Sequence, residues 1–121
     1  MIIIEKDYRN INIKLELIEI GNDICIIISG GDRPHIGAIS IYSKEEGIQT
    51  ISLKNHKDYI IGEMCINNIK DMPLGNISVS SGIHLDDITK NQIDDVYKIC
   101  NSIFKELKKK LLTISINTGG S

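Results

Sequence analysis

The chain has no tryptophan, one phenylalanine and four tyrosines among its 121 residues. Isoleucine supplies most of the apolar volume instead, and its stiff β-branched side chain favours strands over loosely packed helices. Cys25, Cys65 and Cys100 form no CxxC pair, and each lies in an apolar run. That spacing excludes a zinc ribbon and favours reduced core thiols in a cytosolic protein. Charge of one sign is missing too: a formal net charge of -2, with acids and bases mixed along the chain, leaves no polybasic footprint for nucleic acid. After Met1 only Ile2, Ile3 and Ile4 are apolar before Glu5, Lys6 and Asp7, which is neither a signal peptide nor a membrane span. The expectation is a soluble cytoplasmic protein that binds neither nucleic acid nor membrane. No Walker loop or Rossmann fingerprint occurs, and Ser29, Ser80 and Ser81 lack a nucleophile-elbow pattern.

What is present is one domain, spanning 1–117, with 118–121 as a tail. Its length suffices to bury roughly two-thirds of the surface that the unfolded chain exposes. Ile11, Ile13, Leu15 and Leu17 alternate with polar residues as in a half-buried strand, and Ile24 to Ile28 follows a Gly21-Asn22-Asp23 turn as its hairpin partner. Ala38 to Tyr42 and Ile48 to Leu53 make a second hairpin through Lys44-Glu45-Glu46-Gly47, so four antiparallel strands in a row are expected. Asp58 is the expected N-cap of a helix whose stripe is Ile61, Cys65, Ile69 and Met72, ended by Pro73 and Gly75.

A short strand over Ile77 to Ser80 precedes a capping box, Thr89-Lys90-Asn91-Gln92. The long helix after it buries Ile93, Val96, Cys100, Ile103, Leu107 and Leu111 and ends in Lys105, Lys108, Lys109 and Lys110, which complement the dipole. Leu112 to Asn117 reads as a closing strand. The fold class is therefore α/β (α+β): a small two-layer sandwich of about five or six mainly antiparallel strands with two helices, because a one-sided sheet must bury its apolar face.

All three histidines sit in short motifs at the edges of these elements, where a rigid scaffold carries functional groups. In Gly30-Gly31-Asp32-Arg33-Pro34-His35-Ile36-Gly37, glycine amides approach a ligand unobstructed, while Arg33 and His35 add positive donors. Such a turn suits a phosphate or carboxylate; the same residues also suit an ordinary tight turn. His56 and Lys57 precede a helix, whose unpaired amides attract anions, although they also read as exposed flanks of a capping Asp58. His84 follows Gly82 and precedes Asp86 and Asp87. Converging, His35, His56 and His84 would leave an open position on a divalent metal, but no two share a helix turn or an HxH pair, which ranks metal below anion binding.

Together the blocks Ser29 to Gly37, His56-Lys57-Asp58 and Gly82-Ile83-His84-Leu85-Asp86-Asp87-Ile88-Thr89-Lys90 resemble the signature of the prenylated-flavin chaperone family, small proteins that accompany UbiD-type gallate and hydroxyarene decarboxylases. The resemblance runs in order from about Ile11 through the final helix. It implies a non-enzymatic accessory protein that binds prenylated FMN or FMN as cargo and helps mature it in, or deliver it to, a partner decarboxylase. It also implies a domain similar in shape to the proteasome assembly chaperones, which says nothing about partners.

The implied cofactor-binding residues are Gly30, Gly31, Arg33, His35, Gly37, His56, Lys57 and His84, with Ile36, Tyr42, Tyr59 or Ile83 as apolar wall for the flavin ring. Two alternatives from other classes are a metal-dependent enzyme using the three histidines and an assembly chaperone or subunit with purely structural loops. A homodimer through a strand edge or apolar helix faces is compatible with each.

Overall fold

The computed structural model describes residues 1–53 and 58–118, the last four by their backbone course. The elements in chain order are β1 (Ile2–Tyr8), β2 (Ile11–Ile20), β3 (Asp23–Gly31), β4 (Ala38–Ser43), β5 (Gly47–Ser52), α1 (Tyr59–Ile69), β6 (Ile77–His84) and α2 (Lys90–Thr118). The strands form one six-stranded sheet in the order β1-β2-β3-β6-β4-β5. It is the small, mainly antiparallel α+β sandwich expected, with helices on one face and no closure into a barrel.

Two expectations change. The four strands β2 to β5 do not lie in a row, because β6 inserts between β3 and β4, pairing parallel with β3 and antiparallel with β4. A parallel pair needs a long crossover, and the connection from β3 to β6, which includes α1, supplies it. The sixth strand is also not the one expected. Leu112 to Asn117 continues α2 as helix, and the sheet instead gains β1, in register Ile4↔Leu15 and Tyr8↔Ile11 on β2. Extending an existing helix costs little compared with nucleating a new element, which lets α2 absorb β-branched residues.

β1 and β2 join through Arg9 and Asn10, both at positive φ (50° and 64°), as a two-residue hairpin turn requires. Arg9 pairs with the buried Asp95 of α2 at 3.6 Å. The capping box forms as read: Thr89 N donates to Gln92 Oε1 (2.9 Å), and Gln92 N donates to Thr89 Oγ1 (3.1 Å).

The core lies between the sheet and the helices. Ile13, Leu15, Leu17, Ile26, Ile28, Ile77 and Val79 meet Cys65, Ile66 and Ile69 of α1 and Ile103, Phe104 and Leu107 of α2, all essentially inaccessible. Each such isoleucine or leucine contributes roughly 1.5–3 kcal/mol by leaving water. Within α2 the buried stripe runs Val96, Ile99, Cys100, Ile103, Phe104, Leu107 and Leu111, whereas Ile93 is exposed. The lysines from Lys105 to Lys110 sit mid-helix, since α2 runs on to Thr118 and its last turn carries no basic residue. Cys65 and Cys100 are buried free thiols, while Cys25 is only half-buried. Among the described residues, no helix is long and apolar enough to cross a membrane.

Candidate functional site

Because β3 and β6 run parallel, their C-terminal ends finish side by side, with Gly30 beside Ile83 and Gly31 beside His84. This pairing joins the first and third sequence blocks. The segment after Gly31 then turns over the end of β6 to reach β4 on its far side. Asp32 N and Arg33 N donate to the His84 carbonyl (2.7 and 3.3 Å), and Gly37 N donates to the Ser81 carbonyl (2.8 Å). His84 is thus the last residue of a strand longer than expected, held under the loop that carries Arg33 and His35.

Glycine is required at two contacts of this loop. A Cβ on Gly82 would overlap the His35 carbonyl, and a Cβ on Gly37 would overlap the Asp58 carboxylate. The loop is therefore clamped on β6 below and against the start of α1 beside it.

Asp58 occupies the N-cap position of α1, but its side chain does not cap the helix. The carboxylate turns across to the sheet: Oδ1 accepts from Ile83 N at 2.9 Å, and Oδ2 lies 3.3 Å from His35 Nε2. Its own carbonyl accepts from Ser81 Oγ at 2.8 Å and from Ile61 N and Gly62 N of α1. The other ring nitrogen of His35, Nδ1, lies 3.0 Å from the Arg33 carbonyl. Nδ1 is thus within hydrogen-bond reach of a carbonyl, while Nε2 stands beside a carboxylate as a close charge contact.

The His35 and His84 rings are 6.3 Å apart between centroids and nearly perpendicular. An outer, solvent-facing layer is organised by Asp86, whose Oδ1 is 2.9 Å from an Arg33 guanidinium nitrogen and 3.2 Å from His84 Nε2. Asp86 N in turn donates to Asp32 Oδ2 at 2.9 Å. The junction thus surrounds one guanidinium and two imidazoles with three carboxylates, in a buried layer (Asp58, Ser81, part of His35) and an exposed one (Arg33, His84, Asp86).

Of the residues expected to form a site, Gly30, Gly31, Arg33, His35, Gly37 and His84 come together here. His56 and Lys57 lie outside the described residues, two and one positions before Asp58. Among the described residues, no group of three or more metal-ligating side chains is close enough to hold a metal ion. Ile83 is half-buried and Ile36 largely exposed at the junction, but Tyr42 pairs with Ile77 at the opposite end of β6 and forms no part of its wall.

Sequence reasoning passed over the carboxylates. Asp58 reads as a helix cap and Asp32 as turn chemistry, yet both are structural members of the junction. The signal available was the spacing of acid and base, with Asp86 two residues after His84 and Asp32 three before His35.

Residues 7–112 match the family model described as "Prenylated flavin chaperone LpdD-like domain". The chain belongs to this family. Among curated proteins, it is 33% identical over 79 residues to Protein LpdD of Lactiplantibacillus plantarum (strain ATCC BAA-793 / NCIMB 8826 / WCFS1). That alignment covers 61% of this chain and 58% of the relative's length.

Proposed function

We propose that the β3/β6 junction binds prenylated FMN, or FMN, as cargo, and that the chain helps mature this cofactor in, or deliver it to, a UbiD-type decarboxylase. The observation that carries the reading is the meeting of His35, in the loop after β3, with His84, at the end of β6, rings 6.3 Å apart beside Gly30, Gly31 and Gly37. Family membership supplies the ligand class.

The chemistry of the donor set fits a flavin phosphate. Arg33 is 72% exposed and paired with the half-exposed Asp86. A pair in that position is worth roughly 0–1 kcal/mol, so a dianionic phosphate exchanges for Asp86 on Arg33 at small cost and gains a bidentate contact. His84 loses the same carboxylate partner in that exchange and turns to the ligand with Arg33. His56 and Lys57 precede α1 and supply further positive donors. Ile36 and Ile83 provide apolar surface for the ring system, joined by the partly exposed Tyr59.

The protein supplies affinity and positioning rather than bond-making. His35, tied to Asp58 and the Arg33 carbonyl, orients the loop, and the exposed layer makes the contacts that are broken on release. Calorimetric titration with FMN and with prenylated FMN tests the reading. Saturable binding at one site per chain, weakened by Arg33→Ala, is expected; no binding of either flavin removes it.

A further inference from the structure

Asp86 is held more firmly than an exposed ion pair requires. A single carboxylate oxygen, Oδ1, lies 2.9 Å from the Arg33 guanidinium and 3.2 Å from His84 Nε2. The backbone that carries it is fixed on both sides. Leu85 before it is buried, and the Asp86 amide donates to Asp32 Oδ2 at 2.9 Å. Asp87 after it takes the left-handed conformation (φ 50°), uncommon outside glycine, and the capped start of α2 follows. The carboxylate is therefore built into the junction and aimed at both donors.

An oxygen shared by a guanidinium and an imidazole is also what a phosphate monoester presents to such a pair. We infer that Asp86 is a resident competitor for the ligand's phosphate. It closes the seat between Arg33 and His84 in the empty protein, leaves it when the ligand binds, and returns to it on release. This rests on the reading of the junction as a flavin phosphate site, and it adds the device by which that site lets its cargo go. The other two carboxylates are committed elsewhere: Asp58 is buried on the Ile83 amide, and Asp32 holds Asp86 itself.

Tethered two residues from His84, the competing group acts at an effective concentration of millimolar order or more. The pair is exposed, so its hold on each donor stays weak. A seat closed in roughly 70–90% of molecules lowers the apparent affinity about three- to tenfold, because the apparent dissociation constant is the intrinsic one divided by the open fraction. Cargo is still bound at that level, and the returning carboxylate opposes its rebinding once an acceptor takes it.

The sign of a substitution tests this. Asp86→Asn keeps the side chain's size and the backbone bond to Asp32 but removes the charge, and Asp86→Ala removes the group. Losing a residue that only shaped the site would weaken binding, whereas both variants should bind more tightly. Inorganic phosphate is titrated into the full chain near pH 7.5, where it is mostly the dianion, and followed through the His84 ring-proton signals. Its affinity should be about three- to tenfold higher in each variant than in the parent, with the same gain for prenylated FMN by calorimetry and none for riboflavin, which lacks the phosphate. In the parent, the Asp86 carboxyl carbon signal should shift as phosphate saturates, which needs no variant to fold. Phosphate affinity unchanged or lower in the folded variants overturns the proposal, as does an equal gain for riboflavin or an Asp86 signal that stays in place. Tighter phosphate in the variants with no flavin bound to any of the three proteins supports the resident carboxylate and removes the flavin reading alone.

Discussion

The carboxylate of Asp58 stands 3.3 Å from the His35 ring nitrogen, tying the residue ahead of α1 to the middle of the loop between β3 and β4. The same carboxylate accepts the Ile83 amide on β6, so one side chain joins three segments distant in sequence. Asparagine keeps the Ile83 bond through its amide oxygen, whereas alanine leaves a part-buried N–H without its acceptor. Asp58→Ala should therefore lower stability by about 1–3 kcal/mol and Asp58→Asn by clearly less, read from urea unfolding midpoints.

Gly82→Ala should be the more damaging of two matched glycine changes. Its new methyl meets the fixed backbone carbonyl of His35, while that of Gly37→Ala meets the side chain of Asp58, which can turn away. A loss of about 2–4 kcal/mol is expected for Gly82→Ala and less for Gly37→Ala. Thermal unfolding of both variants alongside the parent decides the order.

Arg33→Ala should weaken FMN binding about tenfold, equivalent to about 1.4 kcal/mol for one charged contact to phosphate. Stability should hardly change, because the Arg33 side chain is mostly in solvent. Lys105→Ala, on the exposed middle of α2, should leave affinity unchanged. Titrations at two salt concentrations add a second check, with a shallower salt dependence for Arg33→Ala.

The two core thiols predict a pH effect. Burial pushes the Cys100 thiol up from 9.0 to about 12. Cys65 is pushed up by burial first and by neighbouring Cys100 second. A folded-state value above the unfolded one means that the stabilisation is complete below pH 9.0 and is lost as pH rises toward 12. Each thiol should cost up to about 1.4 kcal/mol per pH unit in that window. Urea midpoints at rising pH should fall less steeply for Cys100→Ala than for the parent, after correction for its lower starting stability.

Much of the fold was legible because periodicity reports burial. The alternation in β2, the Gly21-Asn22 turn and the Thr89-Gln92 box each appear where the pattern placed them. β1 was missed because Glu5, Lys6 and Asp7 obscure the alternation of Ile2 and Ile4, which alone face the core there. The insertion of β6 between β3 and β4 depends on a long-range parallel pairing that no local pattern encodes, although a helix lying between two strand signals is its usual mark. The Ile-rich end of α2 reads as strand by propensity, and continuation of the helix overrides it. At the candidate site the cations were visible as motif residues. Their carboxylate partners were not, since Asp58 serves the same position in sequence whether it caps a helix or crosses to a sheet.

The most direct measurement follows the imidazole carbon-bound proton signals of the three histidines by NMR as prenylated FMN is added. The account predicts that the His35 and His84 signals, assigned from His→Gln variants, shift together and saturate at one flavin per chain. Saturable binding that leaves both signals in place would contradict it, because the cargo would then sit away from the β3/β6 junction.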